Sequence, residues 1–130
     1  MSDAASSSAR IIVVDDDDLV REIISSLLRR ALPRGRIVTA PHGEAGLALY
    51  REERPAVLIT DLRMLGMSGG ELIQAIRVDD PETPIFAITG APEAVAVPGA
   101  TAVLQKAEFK RLIELVVEVV GRPDSNLQAG

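Results

Sequence analysis

The sequence predicts a doubly wound α/β fold, a parallel sheet with helices on both faces. Short apolar runs such as Ile11-Ile12-Val13-Val14 and Val57-Leu58-Ile59-Thr60 show no polar alternation, as strands buried on both faces do. Stretches with apolar residues at helical spacing separate them. Strand and helix patterns alternate, and right-handed crossovers then place helices on either side of a parallel sheet.

Met1 to Ala9 is Ser-rich and patternless and reads as a mobile tail (residues 1–9) before the folded unit, residues 10–121. Ile11 to Val14 is the first strand, closed by Asp15-Asp16-Asp17-Asp18, of which Asp18 suits a helix N-cap. Leu19, Val20, Ile23, Ile24, Leu27, Leu28 and Ala31 then recur at helical spacing up to Pro33. Arg36 to Ala40 is a short strand. Gly43 to Glu53 is a helix with Ala45, Ala48 and Leu49 inward, and His42 before it is an exposed spectator in a turn. Val57 to Thr60 is the strand that Asp61 closes. Leu62 to Gly70 is a glycine-bearing loop in which Met64 and Met67 supply packing, and a helix runs from Ser68 to about Val78, stopped by Asp79-Asp80-Pro81. Ile85 to Thr89 and Thr101 to Gln105 are strands. Between them Gly90 to Ala100 contains Pro92, Pro98 and Gly99, so any helix there is short. Ala107 to Val120 is the last helix, ended by Gly121-Arg122-Pro123, and residues 122–130 read as a second tail.

In that last helix Phe109, Leu112, Ile113, Val116, Val117 and Val120 make a core stripe. Leu115 and Val119 widen it to roughly 200°, at about 100° per residue, more than one buried face needs. The excess predicts a partner or a homodimer on that flank; the alternative is cover by neighbouring elements.

At 130 residues the chain fits one domain with a full core. Aromatics are only 2%, so the core must be aliphatic. The absence of Cys excludes disulfides, thiolate metal sites and a Cys nucleophile. A net charge of −5 argues against nucleic-acid binding through a basic surface. The start has no apolar core of a signal peptide, and no apolar run approaches the roughly 20 residues that span a bilayer. The expected location is cytoplasmic.

Chemistry concentrates at strand ends, where open α/β sheets place their sites. If the strands of Ile11 and Val57 are neighbours, Asp15, Asp16 and Asp61 converge. Packed carboxylates raise one another's pKa unless a cation neutralises them, and hard oxygens with open water positions suit Mg²⁺. Thr89 and Lys106 close two further strands. A metal and a lysine can neutralise a phosphoryl group on Asp61 while a hydroxyl donates to its oxygen, the equipment for phosphoryl transfer to a carboxylate.

These pieces resemble the receiver domain of two-component response regulators. The matching residues are Ile11 to Asp17, Asp61 with Met64 and Gly69, Thr83-Pro84-Ile85, Thr89-Gly90 and Lys106, and the resemblance covers Arg10 to about Gly121. It implies a flavodoxin-like five-stranded sheet of order 2-1-3-4-5, here with a short or degenerate fourth helix. It implies that Asp61 accepts a phosphoryl group from a histidine kinase or histidine phosphotransfer protein. Asp16, Asp61 and the backbone carbonyl of Arg63 would hold Mg²⁺, with Asp15 acting through water. Lys106 would bind the phosphoryl oxygen and Thr89 would move toward it as the switch. The Arg63 side chain would tune water access or simply be solvated. With no room for an effector domain, output is expected through contacts with a downstream protein target.

The chain departs from the family at several positions. Leu65 stands for a common Pro, Ser68 for a common Asp and Ala107 for the usual Pro after Lys106, with Glu108 as an extra residue before Phe109. Val103 stands where an aromatic switch residue is common, and the stretch between Thr89 and Lys106 is short. None of these touches phosphoacceptance. All but the first two lie on the family's output face. The Lys106–Ala107 bond should be trans, since a non-proline cis bond costs about 2.5–4 kcal/mol. Phosphorylation should order Gly90 to Gly99 with little rotamer change at Val103.

Two other readings stay open. Asp16-Asp17-Asp18-Leu19-Val20 fits the D-x-D-x-V pattern of haloacid-dehalogenase-type phosphatases, with Asp16 as nucleophile and Asp18 as general acid, but no acidic pair follows Lys106. The other is a pseudo-receiver that docks without being phosphorylated.

Overall fold

The computed structural model describes residues 6–90 and 96–121. The elements follow in the order β1 (Arg10–Val14), α1 (Asp18–Ala31), β2 (Arg36–Ala40), α2 (Gly43–Glu53), β3 (Val57–Asp61), α3 (Gly69–Asp79), β4 (Ile85–Thr89), β5 (Ala102–Gln105) and α4 (Phe109–Val120). All strand pairings are parallel and the sheet order is β2-β1-β3-β4-β5. The chain leaves β1 in opposite directions toward β2 and β3, which opens a crevice at their carboxyl ends.

Strand side chains alternate between two cores. Ile11, Val13, Val57, Ile59, Phe86 and Ile88 meet Ile24 and Leu28 of α1 and Leu112, Val116 and Val120 of α4. On the other face Ile12, Val14, Leu58, Ile85 and Ala87 meet Tyr50 of α2 and Leu72, Ile73 and Ile76 of α3. Met64 and Met67 pack against that second core, as expected of loop packing.

Several expectations need correction. Asp17, not Asp18, caps α1: its carboxylate accepts from the N–H groups of Leu19 and Val20, while Asp18 begins the helix and pairs with Arg21 one turn on. Leu19 is 67% exposed, because it sits about 140° around the helix from Ile24. In α2, Ala45 and Leu49 pack partly buried against the second core as expected, but the fully inward residues are Gly43, Gly46 and Tyr50, and Ala48, about 200° from Tyr50, faces solvent. His42 is no spectator, since its Nδ1 accepts from the N–H of Ala45 at 3.2 Å and caps α2. The last helix starts at Phe109 rather than Ala107, because the chain spends Lys106 to Glu108 on a turn in which the Glu108 N–H bonds the Gln105 carbonyl at 2.9 Å. Leu115 and Val119 are half-buried against the first core, so the chain itself covers much of the flank predicted for a partner.

Between β4 and β5, residues 96–101 form no helix. They lie on α3 instead: Gln74 Nε2 donates to the Pro98 carbonyl at 2.8 Å and Arg77 Nε to the Gly99 carbonyl at 2.9 Å. Gly99 has φ +87°, and a Cβ there would stand 2.9 Å from Ile73 Cγ2, so the crossing requires glycine. Residues 91–95, where part of the predicted short helix and of the ordering segment falls, lie outside the described residues, as do residues 1–5 of the first predicted tail and the whole of the second. The Lys106–Ala107 bond is trans, as expected.

At the amino ends of the strands, Tyr50 and Thr83 both donate to the Asp80 carboxylate, and the Arg54 guanidinium stands 5.3 Å from the Tyr50 ring centre. Burial alone would raise the pKa of Asp80. The hydrogen bonds from Thr83, Tyr50 and the N–H groups of Glu82 and Thr83 outweigh it and hold Asp80 well below the usual carboxylate range. Among the described residues no helix is long and apolar enough to cross a membrane.

Candidate functional site

The crevice at the carboxyl ends of β1 and β3 collects the predicted acids. Asp15 continues the β1 ladder, its N–H donating to the Ala40 carbonyl at 3.1 Å. Its own carbonyl accepts from Arg21 Nη1 at 2.7 Å, and its Oδ1 accepts from the Asp17 N–H at 2.9 Å. Its Oδ2 is buried with no hydrogen bond, 3.6 Å from Lys106 Nζ. Asp16 is exposed at the mouth. Asp61 ends β3 and is 2% exposed. Its Oδ2 accepts from Lys106 Nζ at 3.2 Å and its Oδ1 from the Arg63 N–H at 3.4 Å.

One carboxylate oxygen from each of Asp15, Asp16 and Asp61 falls within 4.8 Å of the others. Thr89 is buried at the end of β4, one residue beyond Ile88, which pairs with Asp61 across the ladder. The Thr89 carbonyl accepts from the Lys106 N–H at 2.8 Å, so β4 carries the lysine alongside. The structure therefore gathers Asp15, Asp16, Asp61 and Lys106 into one cluster with Thr89 on the adjoining strand end. Arg63 enters through its backbone, and its side chain points to solvent.

Electrostatics mark the cluster as short of positive charge. Burial pushes Asp15 from 3.8 up to about 6; the Asp17 N–H and Lys106 oppose the rise, and the Asp61 and Asp16 charges add to it. Burial by itself would lower the pKa of Lys106, but the carboxylates of Asp15 and Asp61 more than offset that and raise it. The pair is lopsided, because Lys106 gains from its neighbours while Asp15, more deeply buried, still holds its proton more tightly than a free aspartate. Three carboxylates against one ammonium leave a net negative, oxygen-lined site. The buried Asp15 Oδ2 without a hydrogen bond adds an open acceptor. This donor set fits a hard divalent cation such as Mg²⁺.

Beside the acids lies an open depression of about 430 Å³, lined by Asp16, Leu62, Arg63, Met64, Leu65 and Ser68. Leu65 on it is 87% exposed.

The structure brings three further residues to the site. Arg21 holds the Asp15 carbonyl. Thr60 Oγ1 donates to the Asp61 carbonyl at 2.9 Å. Gly69 lies so close that a Cβ there would stand 2.1 Å from the same oxygen. Only Gly69 carried a signal, as part of the family-like pattern after Asp61.

Comparison with known proteins agrees with this geometry. A family model described as the response regulator receiver domain matches residues 11–117, a span that takes in Asp15, Asp16, Asp61, Thr89 and Lys106. The chain is 41% identical over 54 residues to the transcriptional regulatory protein AfsQ1 of Streptomyces coelicolor, covering 42% of this chain and 24% of that protein. To the virulence sensor protein BvgS of Bordetella pertussis it is 52% identical over 42 residues, 32% of this chain and 3% of that protein. A response regulator receiver protein of Anaeromyxobacter sp. is 39% identical over 75 residues, 54% of this chain and 32% of that protein. The matches thus span a third or less of these relatives' lengths.

Among solved structures, the receiver domain of a response regulator, NarL, from Mycobacterium tuberculosis superposes with a TM-score of 0.78 at 27% identity, covering 89% of this chain and 99% of that one. The response regulator TrrA of Thermotoga maritima, solved in complex with Mg²⁺-BeF, superposes with a TM-score of 0.76 at 28% identity, covering 85% of this chain and 98% of that one.

Proposed function

The chain belongs to the response regulator receiver family of two-component signal transduction, and from that premise we propose that Asp61 accepts a phosphoryl group from a phosphohistidine with Mg²⁺ beside it. One observation carries the reading: the buried Asp61 carboxylate lies 3.2 Å from Lys106 Nζ and within 4.8 Å of two further carboxylates. Family membership also weighs against the phosphatase reading, which needs Asp16 as nucleophile.

Asp16, Asp61 and the Arg63 carbonyl would hold Mg²⁺, with Asp15 reaching it through water. The ion, when bound, supplies positive charge against the phosphoryl oxygens. The chain's own residues do the rest. An Asp61 oxygen attacks phosphorus, the new O–P bond forms as the donor's N–P bond breaks, and the departing imidazole keeps that electron pair. Lys106 turns from Asp61 to a phosphoryl oxygen, replacing a contact it already makes. The Thr89 hydroxyl, on the adjoining strand end, donates to another and so reports the phosphorylated state to the β4–β5 side. The phosphodonor is a histidine kinase or a histidine phosphotransfer protein, and output passes to a protein target. The chain acts as a phosphoacceptor rather than as an enzyme with a separate substrate.

The test uses acetyl phosphate with and without Mg²⁺, followed by peptide mass spectrometry. The expected label is on Asp61, requires the divalent cation and vanishes in Asp61→Asn. A label on Asp16 would establish the phosphatase chemistry instead, and no label would establish a docking module.

A further inference from the structure

The peptide that follows Asp61 is gripped at both ends. Its N–H, that of Leu62, donates to the Ile88 carbonyl of β4 at 3.0 Å. Its carbonyl, that of Asp61, accepts from Thr60 Oγ1 at 2.9 Å and faces the first residue of α3. That residue is Gly69, and any larger one would drive a Cβ to 2.1 Å from the Asp61 oxygen and 2.8 Å from Leu62 Cα. The Gly69 N–H also donates to the Leu62 carbonyl at 3.0 Å, and the Ser68–Glu71 capping box fixes the start of α3.

Thr60 is fully buried. Strand alternation puts its side chain on the α2–α3 face with Leu58, away from the face of Ile59. A buried hydroxyl at such a position gains nothing over valine unless its hydrogen bond is used. Here that bond runs to the carbonyl of Asp61 itself, in the peptide that leads out of the strand.

We infer that Thr60 and Gly69 are positioning residues for phosphoryl transfer, locking the Asp61–Leu62 peptide so that the acceptor carboxylate keeps its place. The physical need is clear from the neighbouring charges. Asp15 and Asp16 press on Asp61 from β1, and a short Asp side chain with two torsions leaves much of its placement to its backbone. The same peptide sets the direction of the following residue pair, and thus the Arg63 N–H that touches Asp61 Oδ1 at 3.4 Å. The inference rests on Asp61 being the phosphoacceptor.

Thr60→Val keeps the shape and removes the donor, Thr60→Ser restores it, and Gly69→Ala inserts the forbidden Cβ. The rate of Asp61 labelling by acetyl phosphate is measured against donor concentration at saturating Mg²⁺, with thermal melts in parallel. Gly69→Ala should lower the limiting rate by about a hundredfold, the effect of an ångström-scale misplacement. Thr60→Val should lower it by about fivefold, as for one hydrogen bond, with the half-saturating donor concentration unchanged. Thr60→Ser should return to within about twofold of wild type. Should Gly69→Ala fail to fold, the Thr60 pair decides. Wild type labelled at Asp61 with Thr60→Val at an equal rate, only its melting temperature falling, overturns the inference alone. Wild type labelled elsewhere or not at all overturns the phosphoacceptor reading, and the inference with it.

Discussion

On the β1–β3 side of the site each buried carboxylate hangs from backbone fixed at several points, whereas on the β4–β5 side Lys106 reaches in from a turn beyond a four-residue edge strand. Asp15 is held by Ala40, Arg21 and Asp17, and the Asp61–Leu62 peptide by Thr60, Ile88 and Gly69. Lys106 is anchored at Thr89, its turn is closed only by bonds between its neighbours Gln105 and Glu108, and the helix after it begins without a side-chain cap. The difference follows from side-chain length. An aspartate oxygen is two torsions from its backbone, so a backbone error arrives undiminished at the oxygen. A lysine ammonium on a four-carbon stem absorbs the same error by changing rotamer. The tolerant side is also where the chain departs from the family pattern, with Ala107, Glu108 and residues 96–101 laid on α3.

The largest expected effect tests the strained acid side. Unfolded Asp15 loses its proton near 3.8 and folded Asp15 near 6. Below the lower value both states are protonated and the group costs nothing. As pH rises through that window the folded state must give up a proton it prefers to keep, so stability falls, and above about 6 the whole penalty is present. Such a shift corresponds to about 3 kcal/mol. In chelator at pH 7.5, Asp15→Asn should therefore be more stable than wild type by up to about 3 kcal/mol, the gain shrinking toward pH 4. Urea unfolding at the two pH values measures it, and an equal difference at both would count against the assigned penalty.

Next comes the open acid. Asp16→Ala should raise the Mg²⁺ concentration at half-saturation by roughly fiftyfold, about 2.3 kcal/mol, and leave the melting temperature in chelator unchanged or higher. Calorimetric titration decides, and an unaltered Mg²⁺ isotherm removes Asp16 from the ligand set.

Lys106→Ala takes the nearest ammonium from two buried carboxylates, but the lysine is partly exposed and its pairing is screened. The expected loss in chelator is about 1 kcal/mol, with Lys106→Arg recovering most of it; a loss of several kcal/mol in both would show that the lysine side is as rigid as the acid side. The smallest effect is reserved for Glu108→Ala. It removes the carboxylate that accepts from the Gln105 N–H at 2.8 Å, and should shift stability by about 0.5 kcal/mol or less with the labelling rate of Asp61 intact. A tenfold drop in that rate would erase the contrast between the two sides.

The unequal tolerances also explain what could be read from the chain. Strands buried on both faces announce themselves as unbroken apolar runs, so β1, β3 and β4 were legible, and with them Asp15, Asp61 and Thr89 at their ends. Four consecutive aspartates could not reveal which one caps α1, because any of them has the chemistry and only the entry angle selects Asp17. Helix α2 misled through Ala48, since alanine sits equally well on either face while Tyr50 decides the orientation. The role of Thr60 depends on a carbonyl one residue away and that of Gly69 on a backbone contact eight residues back in the chain. Neither leaves a periodic trace. The lie of residues 96–101 across α3 is fixed by Gln74 and Arg77, two polar residues that on a helix surface read simply as solvated.

Tyr50 is the chain's one tyrosine, and there is no tryptophan. Its ring is packed at the amino ends of the strands and its hydroxyl is tied to Asp80, the length of the sheet away from Asp61. The tyrosine signal therefore comes from the end of the molecule opposite the acidic cluster, while the two phenylalanines, Phe86 and Phe109, lie in β4 and at the start of α4. The tyrosine band of the near-ultraviolet dichroism will follow the melting of the fold and respond little to events at Asp61. That separation makes the two events independently observable in one sample, and Leu65→Trp, at an exposed position beside Asp16, would supply an emitter for the silent end.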